Sequence, residues 1–456
     1  MWTTEDQTVA AGHSVDVDPA RWQELLEELL GRVAGRFARV DLRRRARAFV
    51  WGLLSDLPRK NCWTIAEHAG DPSPDGMQHL LGRAVWDQDK LRDDVRDYVR
   101  DYVTEHLGDR GAVLVVDETG DLKEGHHHRW GQAPVHRHRR AGRERPGRGL
   151  PGLCHRRWAW GDRPGVVPAP LWTDDPQRMQ AAGVPDQVGF ATKPALATAM
   201  ICRALDAGVP AGWVAGDEVY GANPKLRAEL EARQIGYVLV VACDHPVRFG
   251  GDTHHANALL RHLPARAWQQ ISCGKGAKGH RYYDWAFLRL DHHHHHHHGP
   301  APGGQAGQHW LMVRRNQRTG ELAFYHCFTP RPTPLAVLVR VAGCRWRIEE
   351  AFQAGKGLCG LDQHQVRRWR SWYRWATLSM LAHAFLMVAA LAERTHHPAP
   401  SELVPLSCNE IQHLFAALLA QPAGDRGHRL RWSLWRRRHQ ARARTCHYQR
   451  QAAWQP

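Results

Sequence analysis

The sequence predicts an α/β fold with a mixed sheet core, an N-terminal helical domain, a β-rich insertion and a helical C-terminal tail. Two apolar runs, each too short for a helix of any length, lead directly into Asp117 and Asp217 and are typical of buried central strands. The apolar run 236–242 has the same character. Apolar residues at helical spacing lie before and between these runs, which indicates a core in which helices alternate with strands.

Residues 1–18 are polar and are predicted to be loose, and residues 19–108 form the helical domain. Asp18 followed by Pro19 is a typical helix start, because aspartate caps the first turn and proline fits its first position. Further helices are predicted at 42–54, 63–70, 77–85 and 90–107. The short helices on either side of the turn at 71–74 fit a helix-turn-helix DNA-binding unit, but an ordinary helical bundle has the same spacing.

The first part of the core, predicted over 109–243, changes character in its middle. Residues 125–170 contain ten Arg, six His, eight Gly and six Pro but only five Val or Leu. The segment therefore lacks both periodicity and the apolar surface that would offset its ordering entropy. One hypothesis is a disordered basic arm that binds DNA. The other, which we favour, is a shifted reading frame in GC-rich DNA, and it leaves the core incomplete at 125–170.

Three further segments follow the second strand-end acid. Residues 244–330 form the predicted β-rich insertion, which includes a loop of seven histidines, His292–His298. Such a homopolymer is more often an expanded low-complexity tract than a metal site. Residues 331–395 complete the core with a helix that carries Glu349, and residues 396–456 form a helical, basic tail. The strands of the insertion are predicted at 282–290, 310–315 and 321–328.

Composition limits the partners and the compartment. The formal net charge is +16 and the pI is about 9.8, which favours a polyanionic partner such as nucleic acid, with a merely basic soluble protein as the alternative. The ten cysteines include no C-x-x-C pair, which fits reduced thiols rather than a zinc ribbon. The first residues lack a signal-peptide pattern, and the apolar run 376–392 suits a buried helix better than a membrane span. We therefore expect a cytoplasmic protein.

Asp117, Asp217 and Glu349 together predict a site for divalent metal ions. An acid just past a buried strand lies where open α/β sheets bind their ligands, and carboxylate oxygens suit Mg²⁺. Two such ions can activate the nucleophile and stabilise the leaving oxygen of a phosphodiester, with Asp117 bridging both ions and the other two acids holding one each. Each acid alone is equally explained as a turn or cap residue. The one-residue register alternatives are Glu118, Glu218 and Glu350.

Cationic side chains flank Glu349 in the sequence. Arg345 lies four residues before it and Lys356 seven after it, offsets that fall on the same side of a helix. At this place they would bind the phosphates of the DNA strand to be cut. An i,i+4 ion pair between Arg345 and Glu349 is the plainer alternative. The stretch 366–375 interleaves Arg with Trp and Tyr, which suits either base stacking or packing between helices.

The segments 116–120, 216–221 and 345–356 resemble the motifs of bacterial insertion-sequence transposases of the DDE class. The resemblance covers roughly residues 20–123 and 172–420. It implies an RNase H-like core with a β-rich insertion before the final glutamate. The family's signature around that acid is tyrosine, arginine, glutamate and lysine. Arg345, Glu349 and Lys356 match it, and Ala342 stands where the tyrosine is expected.

This resemblance implies cut-and-paste transposition, with nicking at element ends followed by attack of the 3′-hydroxyl on target DNA. It implies catalytic, metal-binding roles for Asp117, Asp217 and Glu349 with two divalent cations, Mg²⁺ or Mn²⁺. The implied partners are double-stranded DNA, both terminal inverted repeats and target, and a second copy of the chain on that DNA, at the nucleoid. It also implies core strands within 125–170, so a shifted frame would make this copy inactive. The alternatives are a non-catalytic basic DNA-binding protein and a metal-binding protein based on His292–His298.

Overall fold

The computed structural model describes residues 17–107, 111–119, 148–155, 158–161, 165–166, 175–276, 279–291, 307–398 and 404–452. The chain forms two compact units, each built from separate stretches of sequence. Unit 1 comprises Met1–Val95, Gly357–Gln365 and Thr377–Pro456, and unit 2 comprises Arg96–Lys356 and Val366–Ala376. Residues 1–16 of the predicted N-terminal tract and the His292–His298 tract lie outside the described residues.

The α-helices are α1 (Pro19–Ala34), α2 (Val40–Leu54), α3 (Cys62–His68), α4 (Asp75–Gly82), α5 (Gln88–Leu107), α6 (Pro176–Ala182), α7 (Lys193–Asp206), α8 (Glu218–Gly221), α9 (Pro224–Ala232), α10 (Leu335–Cys359), α11 (Trp369–His396), α12 (Cys408–Leu418) and α13 (Arg426–Ala452). The strands are β1 (Val113–Thr119), β2 (Arg148–His155), β3 (Trp158–Gly161), β4 (Gly165–Val166), β5 (Trp213–Gly216), β6 (Gly236–Val241), β7 (Pro246–Phe249), β8 (Asp252–His255), β9 (Gln269–Gly276), β10 (Gly279–Arg289), β11 (Gln308–Arg315) and β12 (Leu322–Thr329). Two 3₁₀ turns, Ala256–His262 and Ala265–Ala267, lie between β8 and β9.

Unit 1 is a helical bundle that combines helices from the two ends of the chain. As predicted, α1 begins after Asp18, whose side chain accepts a hydrogen bond from the Ala20 N–H at 2.9 Å. The buried face of α1 packs with α12 in the core, where each fully buried large apolar side chain contributes roughly 1.5–3 kcal/mol. The buried Trp22 Nε1–H donates to the Glu393 carboxylate at 2.7 Å, so this polar pair is satisfied inside the bundle. The buried face of α1 is Trp22, Leu26, Leu29 and Val33.

Helices α3 and α4 reproduce the predicted helix, turn and helix. The Asn61 side chain accepts hydrogen bonds from the Trp63 and Thr64 N–H groups, and the Thr64 hydroxyl accepts one from the Asn61 N–H at 3.1 Å, which completes the capping box. This reciprocal cap explains why so short a helix begins where it does. The contact of this unit with DNA stays a prediction.

Helix α11 is the one described helix long and apolar enough to cross a membrane by length and composition. Its most apolar stretch is entirely buried inside the protein, which is typical of a core helix. The side chains of Leu381, Phe385 and Val388 are fully buried, as expected for a helix that is apolar all round. No membrane localisation is indicated by this helix.

Unit 2 is organised around one mixed sheet with the strand order β3-β2-β1-β5-β6-β12-β11-β10-β9, and β4 pairs with β2. The central strands β1, β5 and β6 are parallel, and every other neighbouring pair is antiparallel. Helices α7 and α9 pack against each other beside these strands, and the short α8 follows β5 directly. The apolar runs before Asp117 and Asp217 are thus the buried central strands that the sequence predicts, and the structure makes them neighbours.

Strands β2, β3 and β4 fall within 125–170, where the sequence shows no strand pattern. β2 pairs antiparallel with β1 along its whole length, from Val113 opposite Cys154 to Thr119 opposite Arg148. Main-chain hydrogen bonds need no particular side chains, so a strand can form against the open side of β1 without an apolar pattern of its own. The remainder of 125–170 lies outside the described residues, and the shifted reading frame stays a prediction.

The predicted β-rich insertion continues the same sheet. β12 pairs with β6, and β11, β10 and β9 follow in order, so these strands extend the core sheet. A compact apolar cluster closes the space between the sheet, β7 and the 3₁₀ turns, and Val247, Leu259 and Leu311 at its centre are fully buried. The predicted α/β fold class with a mixed sheet core is therefore confirmed. The division of the chain into six segments stays a prediction.

Candidate active site

Asp117 and Asp217 occupy equivalent places on neighbouring parallel strands. Val116 of β1 lies in register with Gly216, the last residue of β5, so an aspartate follows at the next position of each segment. Asp117 lies within β1 and not just past it, because pairing with β2 extends β1 to Thr119, whereas Asp217 follows the end of β5. Neighbouring strands lie about 4.8 Å apart, so the two aspartates lie side by side at the carboxyl end of β5. Their juxtaposition follows from the parallel register, which brings together two residues that are far apart in sequence.

The chain turns sharply after Asp217. Its carboxylate caps α8 by accepting a hydrogen bond from the Val219 N–H at 3.0 Å. At the end of this single turn a Cβ on Gly221 would overlap the carbonyl oxygen of Val240. The glycine lets the backbone of α8 lie directly against β6, and this contact holds Asp217 at the carboxyl end of β5.

Arg345 brings Glu349 to the same place. Its Nη1 lies 3.4 Å from Asp117 Oδ2, a residue 228 positions away in sequence, and 3.6 Å from Glu349 Oε1 one helical turn further along α10. Because both oxygens contact the same nitrogen, the distance between Asp117 Oδ2 and Glu349 Oε1 cannot exceed the sum of these two distances. The plainer alternative for Arg345, an i,i+4 pair with Glu349, is therefore present, and the same guanidinium also contacts the strand acid.

Burial controls the charge of the two aspartates. The Asp117 side chain is 12% exposed, and this burial raises its pKa to about 6. The hydrogen bond from the Glu118 N–H at 2.7 Å and the nearby Arg345 act in the opposite direction, while Asp217 and Glu349 raise the Asp117 pKa further. Burial also raises the pKa of Asp217, against the Val219 hydrogen bond. The carboxyl groups are close enough to influence one another electrostatically.

The comparisons with known proteins agree with this arrangement. A sequence profile described as DDE superfamily endonuclease matches residues 32–271, which is more than half of the 456-residue chain. The chain belongs to the DDE superfamily of endonucleases. Members of this superfamily use divalent metal ions. The matched stretch includes Asp117 and Asp217 and ends before Arg345 and Glu349.

Part of the chain is also similar to the probable transposase for insertion sequence element IS701 of Microchaete diplosiphon. The two sequences are 36% identical over 74 residues. The match covers 16% of this chain and 18% of the relative, so it spans less than one fifth of either protein. The resemblance to DDE-class transposases that the sequence motifs indicate is confirmed at the level of the family.

The donor set formed by Asp117, Asp217 and Glu349 suits a hard divalent cation. All three acids offer carboxylate oxygens, the donors that Mg²⁺ prefers. Within the described parts of the chain, no three His, Cys, Asp or Glu side chains are placed closely enough to form a metal site. The positive charge between Asp117 and Glu349 is instead the Arg345 guanidinium. The chemistry of the donors therefore fits a cation, while their present spacing is that of an arginine-centred ion pair.

Two side chains that the sequence does not single out also lie at the site. Lys193 Nζ, at the start of α7, contacts Glu118 Oε2 at 2.8 Å. Tyr220 is almost completely buried, and its burial together with Glu118, Asp217 and Asp117 raises the pKa of its phenol. Tyr220 belongs to the 216–221 motif, so the sequence could have indicated its place at the site. Lys193 is distant from every motif, so the sequence gives no indication that it contacts Glu118.

The remaining sequence candidates lie on α10 and α11. Lys356 is half-buried in the last turn of α10, about 10.5 Å along the axis from Glu349, and its DNA contact stays a prediction. Glu350 is exposed, and the contact of Arg345 is with Glu349. In the stretch 366–375 three tryptophans are buried, which favours packing between helices over base stacking. These tryptophans are Trp369, Trp372 and Trp375.

Proposed function

We propose that this DDE endonuclease is a DNA transposase that cuts strands at the ends of its element and joins them to target DNA. The observation that carries the proposal is the shared contact of Arg345 with Asp117 and Glu349. This contact assembles the strand acid and the helix acid around one positive charge, beside Asp217 on the neighbouring strand. The partial match to a protein named as a probable transposase supports the same activity.

Asp117, Asp217 and Glu349 are the proposed ligands of two divalent cations, Mg²⁺ or Mn²⁺. When bound, such ions supply activation of the attacking oxygen and charge stabilisation of the leaving oxygen of a phosphodiester. Asp117, the most buried of the three acids, is the proposed ligand of both ions. The contact of Arg345 with Glu349 supports the Glu349 register over Glu350.

Arg345 and Lys356 are the proposed contacts with the phosphates of the scissile strand. The Arg345 side chain is 27% exposed, so it is open to solvent on one side while it holds the two carboxylates. A guanidinium suits this role because its planar fork matches the oxygens of a phosphate. Lys356 lies on the same helix, where it extends the positive charge along the path of a bound strand.

The proposed substrates are double-stranded DNA with the terminal inverted repeats of the element and a target DNA. The net charge of +16 supports a polyanionic substrate. The protein is proposed to act as a homodimer on this DNA and to be nucleoid-associated in the cytoplasm. The alternative of a non-catalytic basic DNA-binding protein is not favoured by the family membership.

A nicking assay tests the proposal. The substrate is a supercoiled plasmid that carries the coding sequence with its flanking DNA, incubated with Mg²⁺ or Mn²⁺ and with EDTA as the control. We expect metal-dependent nicking that is lost in Asp117→Ala, Asp217→Ala and Glu349→Ala. Glu350→Ala is the matched control, because it removes an exposed acid from the next position of the same helix.

Equal nicking by the wild type and all three variants would show that these acids do not form the active site. Loss in Glu350→Ala with retention in Glu349→Ala would move the third ligand by one residue. Metal-independent DNA binding without any nicking would favour the non-catalytic alternative.

A further inference from the structure

Helix α13 ends unit 1 with an unusual distribution of charge. Its 27 residues contain nine arginines and no aspartate or glutamate. The first half of the helix is held against α3 and the turn after it, whereas every residue from 437 to 449 is exposed. The exposed stretch is about 18 Å of basic helix.

The packed half is anchored along one face. His428 Nε2 hydrogen-bonds the Glu67 carbonyl oxygen at 2.9 Å, and Trp432 Nε1–H donates to the Asp71 carbonyl oxygen at 2.6 Å. Arg436 forms an ion pair with the Glu67 carboxylate. These contacts fix the rotation of the helix about its own axis.

Aromatic stacking extends the same face by one more turn. Trp435 and His439 stack with ring centroids 5.2 Å apart, and both rings contact Trp63 edge-on at 4.8 Å. The anchored positions 428, 432, 435, 436 and 439 thus follow the helical repeat and form one stripe.

The exposed arginines lie opposite the anchored stripe and beside it. At 3.6 residues per turn, Arg437 and Arg444 lie about 155° and 135° from the mean direction of the stripe. Arg438 and Arg442 lie about 105° and 65° from it, so they flank the stripe. Among the described residues these four guanidinium groups have no carboxylate partner. Four uncompensated positive charges within eight residues are therefore exposed to solvent.

The chemistry of this segment selects the partner. Residues 437–449 contain no Val, Ile, Leu, Met, Phe or Trp, so the segment lacks the apolar face that a membrane-surface helix or a helical protein interface needs. A DNA duplex offers one phosphate charge per about 1.7 Å of its axis, and guanidinium forks match phosphate oxygens. Charge complementarity is therefore the available basis for recognition.

We propose that the 437–449 segment of α13 is a DNA-backbone-binding helix, which contacts phosphates of duplex DNA through Arg437, Arg438, Arg442 and Arg444. This inference rests on the proposed function for its substrate and adds a second contact surface to the site around Asp117. The helix binds without regard to base sequence, because phosphate contacts position a protein and carry no sequence information directly.

The test uses the full-length chain with all four arginines replaced by glutamine, a residue that retains high helix propensity. Affinity for a fluorescent DNA duplex is measured over a series of salt concentrations. Each phosphate contact contributes about 0.9 to the slope of log affinity against log salt, so the variant should lose about 3.6 from this slope. The matched control replaces four exposed arginines of unit 2 by glutamine and should change the slope by less than about 1. These control residues are Arg261, Arg266, Arg318 and Arg331.

A second variant, with lysine at the same four positions, keeps the charge and is expected to retain a slope within about 1 of the wild-type value. Far-ultraviolet circular dichroism and thermal melting verify that each variant is folded. An unchanged slope in the glutamine variant overturns the proposal. An equal loss in the unit 2 control also overturns it, because net charge rather than this helix would then be responsible.

The design separates this inference from the proposed function. If the wild type binds and nicks DNA while the glutamine variant binds with an unchanged slope, only the helix proposal fails. If the wild type has no affinity for DNA but binds vesicles of phosphatidylglycerol, both fail. The expected result is reduced DNA affinity in the glutamine variant with metal-dependent nicking retained at saturating DNA.

Discussion

Replacing Asp117 by asparagine tests the physical argument on which the proposed site depends. The variant keeps the shape of the side chain and its hydrogen bond from the Glu118 N–H, but it removes the negative charge. Asp117 is buried, and this burial raises its pKa to about 6 from an ordinary value of 3.8. The folded protein therefore binds this proton more tightly than the unfolded chain does.

The sign and the size of the effect follow from this difference. Because the folded-state pKa is raised, the wild-type free energy of unfolding should decrease as the pH rises from about 4 to about 6, and then level off. The shift is about two pKa units, and each unit corresponds to about 1.36 kcal/mol, so the ionised carboxylate costs about 3 kcal/mol at pH 8. At pH 8 the variant should therefore be more stable than the wild type by about 1–3 kcal/mol. The gain is smaller than the full cost, because the variant also loses the ion pair with Arg345.

Urea unfolding in EDTA, followed by circular dichroism between pH 4 and pH 8, measures the effect. The variant and the wild type should be equally stable at pH 4 and diverge at higher pH. Glu350→Gln, which neutralises an exposed acid on α10, should follow the wild-type curve. Identical pH dependence of Asp117→Asn and the wild type would refute the argument. Added Mn²⁺ at pH 8 should stabilise the wild type and not the variant, because a cation offsets the buried charge.

Three other predictions concern separate parts of the chain. Arg345→Gln should raise the Asp117 pKa above about 6, because it removes a positive charge that lowers this pKa. In the same unfolding experiment, the free energy of unfolding of this variant should therefore continue to decrease to a higher pH than that of the wild type. Gly221→Ala should lower the free energy of unfolding by about 2 kcal/mol or more, because its Cβ overlaps the Val240 carbonyl oxygen, and a normal thermal melt would contradict this. Sequencing the encoding DNA and translating codons 124–172 in the other two frames should reveal apolar strands in one of them, and their absence from both would favour a genuine basic arm.

The central strands illustrate what local sequence can determine. The apolar runs before Asp117 and Asp217 are too short for helices and too apolar for the surface, so buried strands are the structure that remains. The helix start at Asp18 and Pro19 is equally local, because a cap depends on a few neighbouring residues. The strand segments within 125–170 differ, because their main-chain pairing with β1 leaves no side-chain pattern to recognise.

By itself the sequence determined the α/β class, the positions of the N-terminal helices and the central strands, and three acids in contexts suited to a metal site. Only the tertiary structure decided that β1 and β5 are parallel neighbours in register, and that Arg345 contacts both Asp117 and Glu349. It also placed Lys193 against Glu118 and left four arginines near the end of α13 exposed to solvent. The physical reason is range: caps and periodicity act within a few residues, whereas register, burial and ion pairing between distant segments depend on how the whole chain packs.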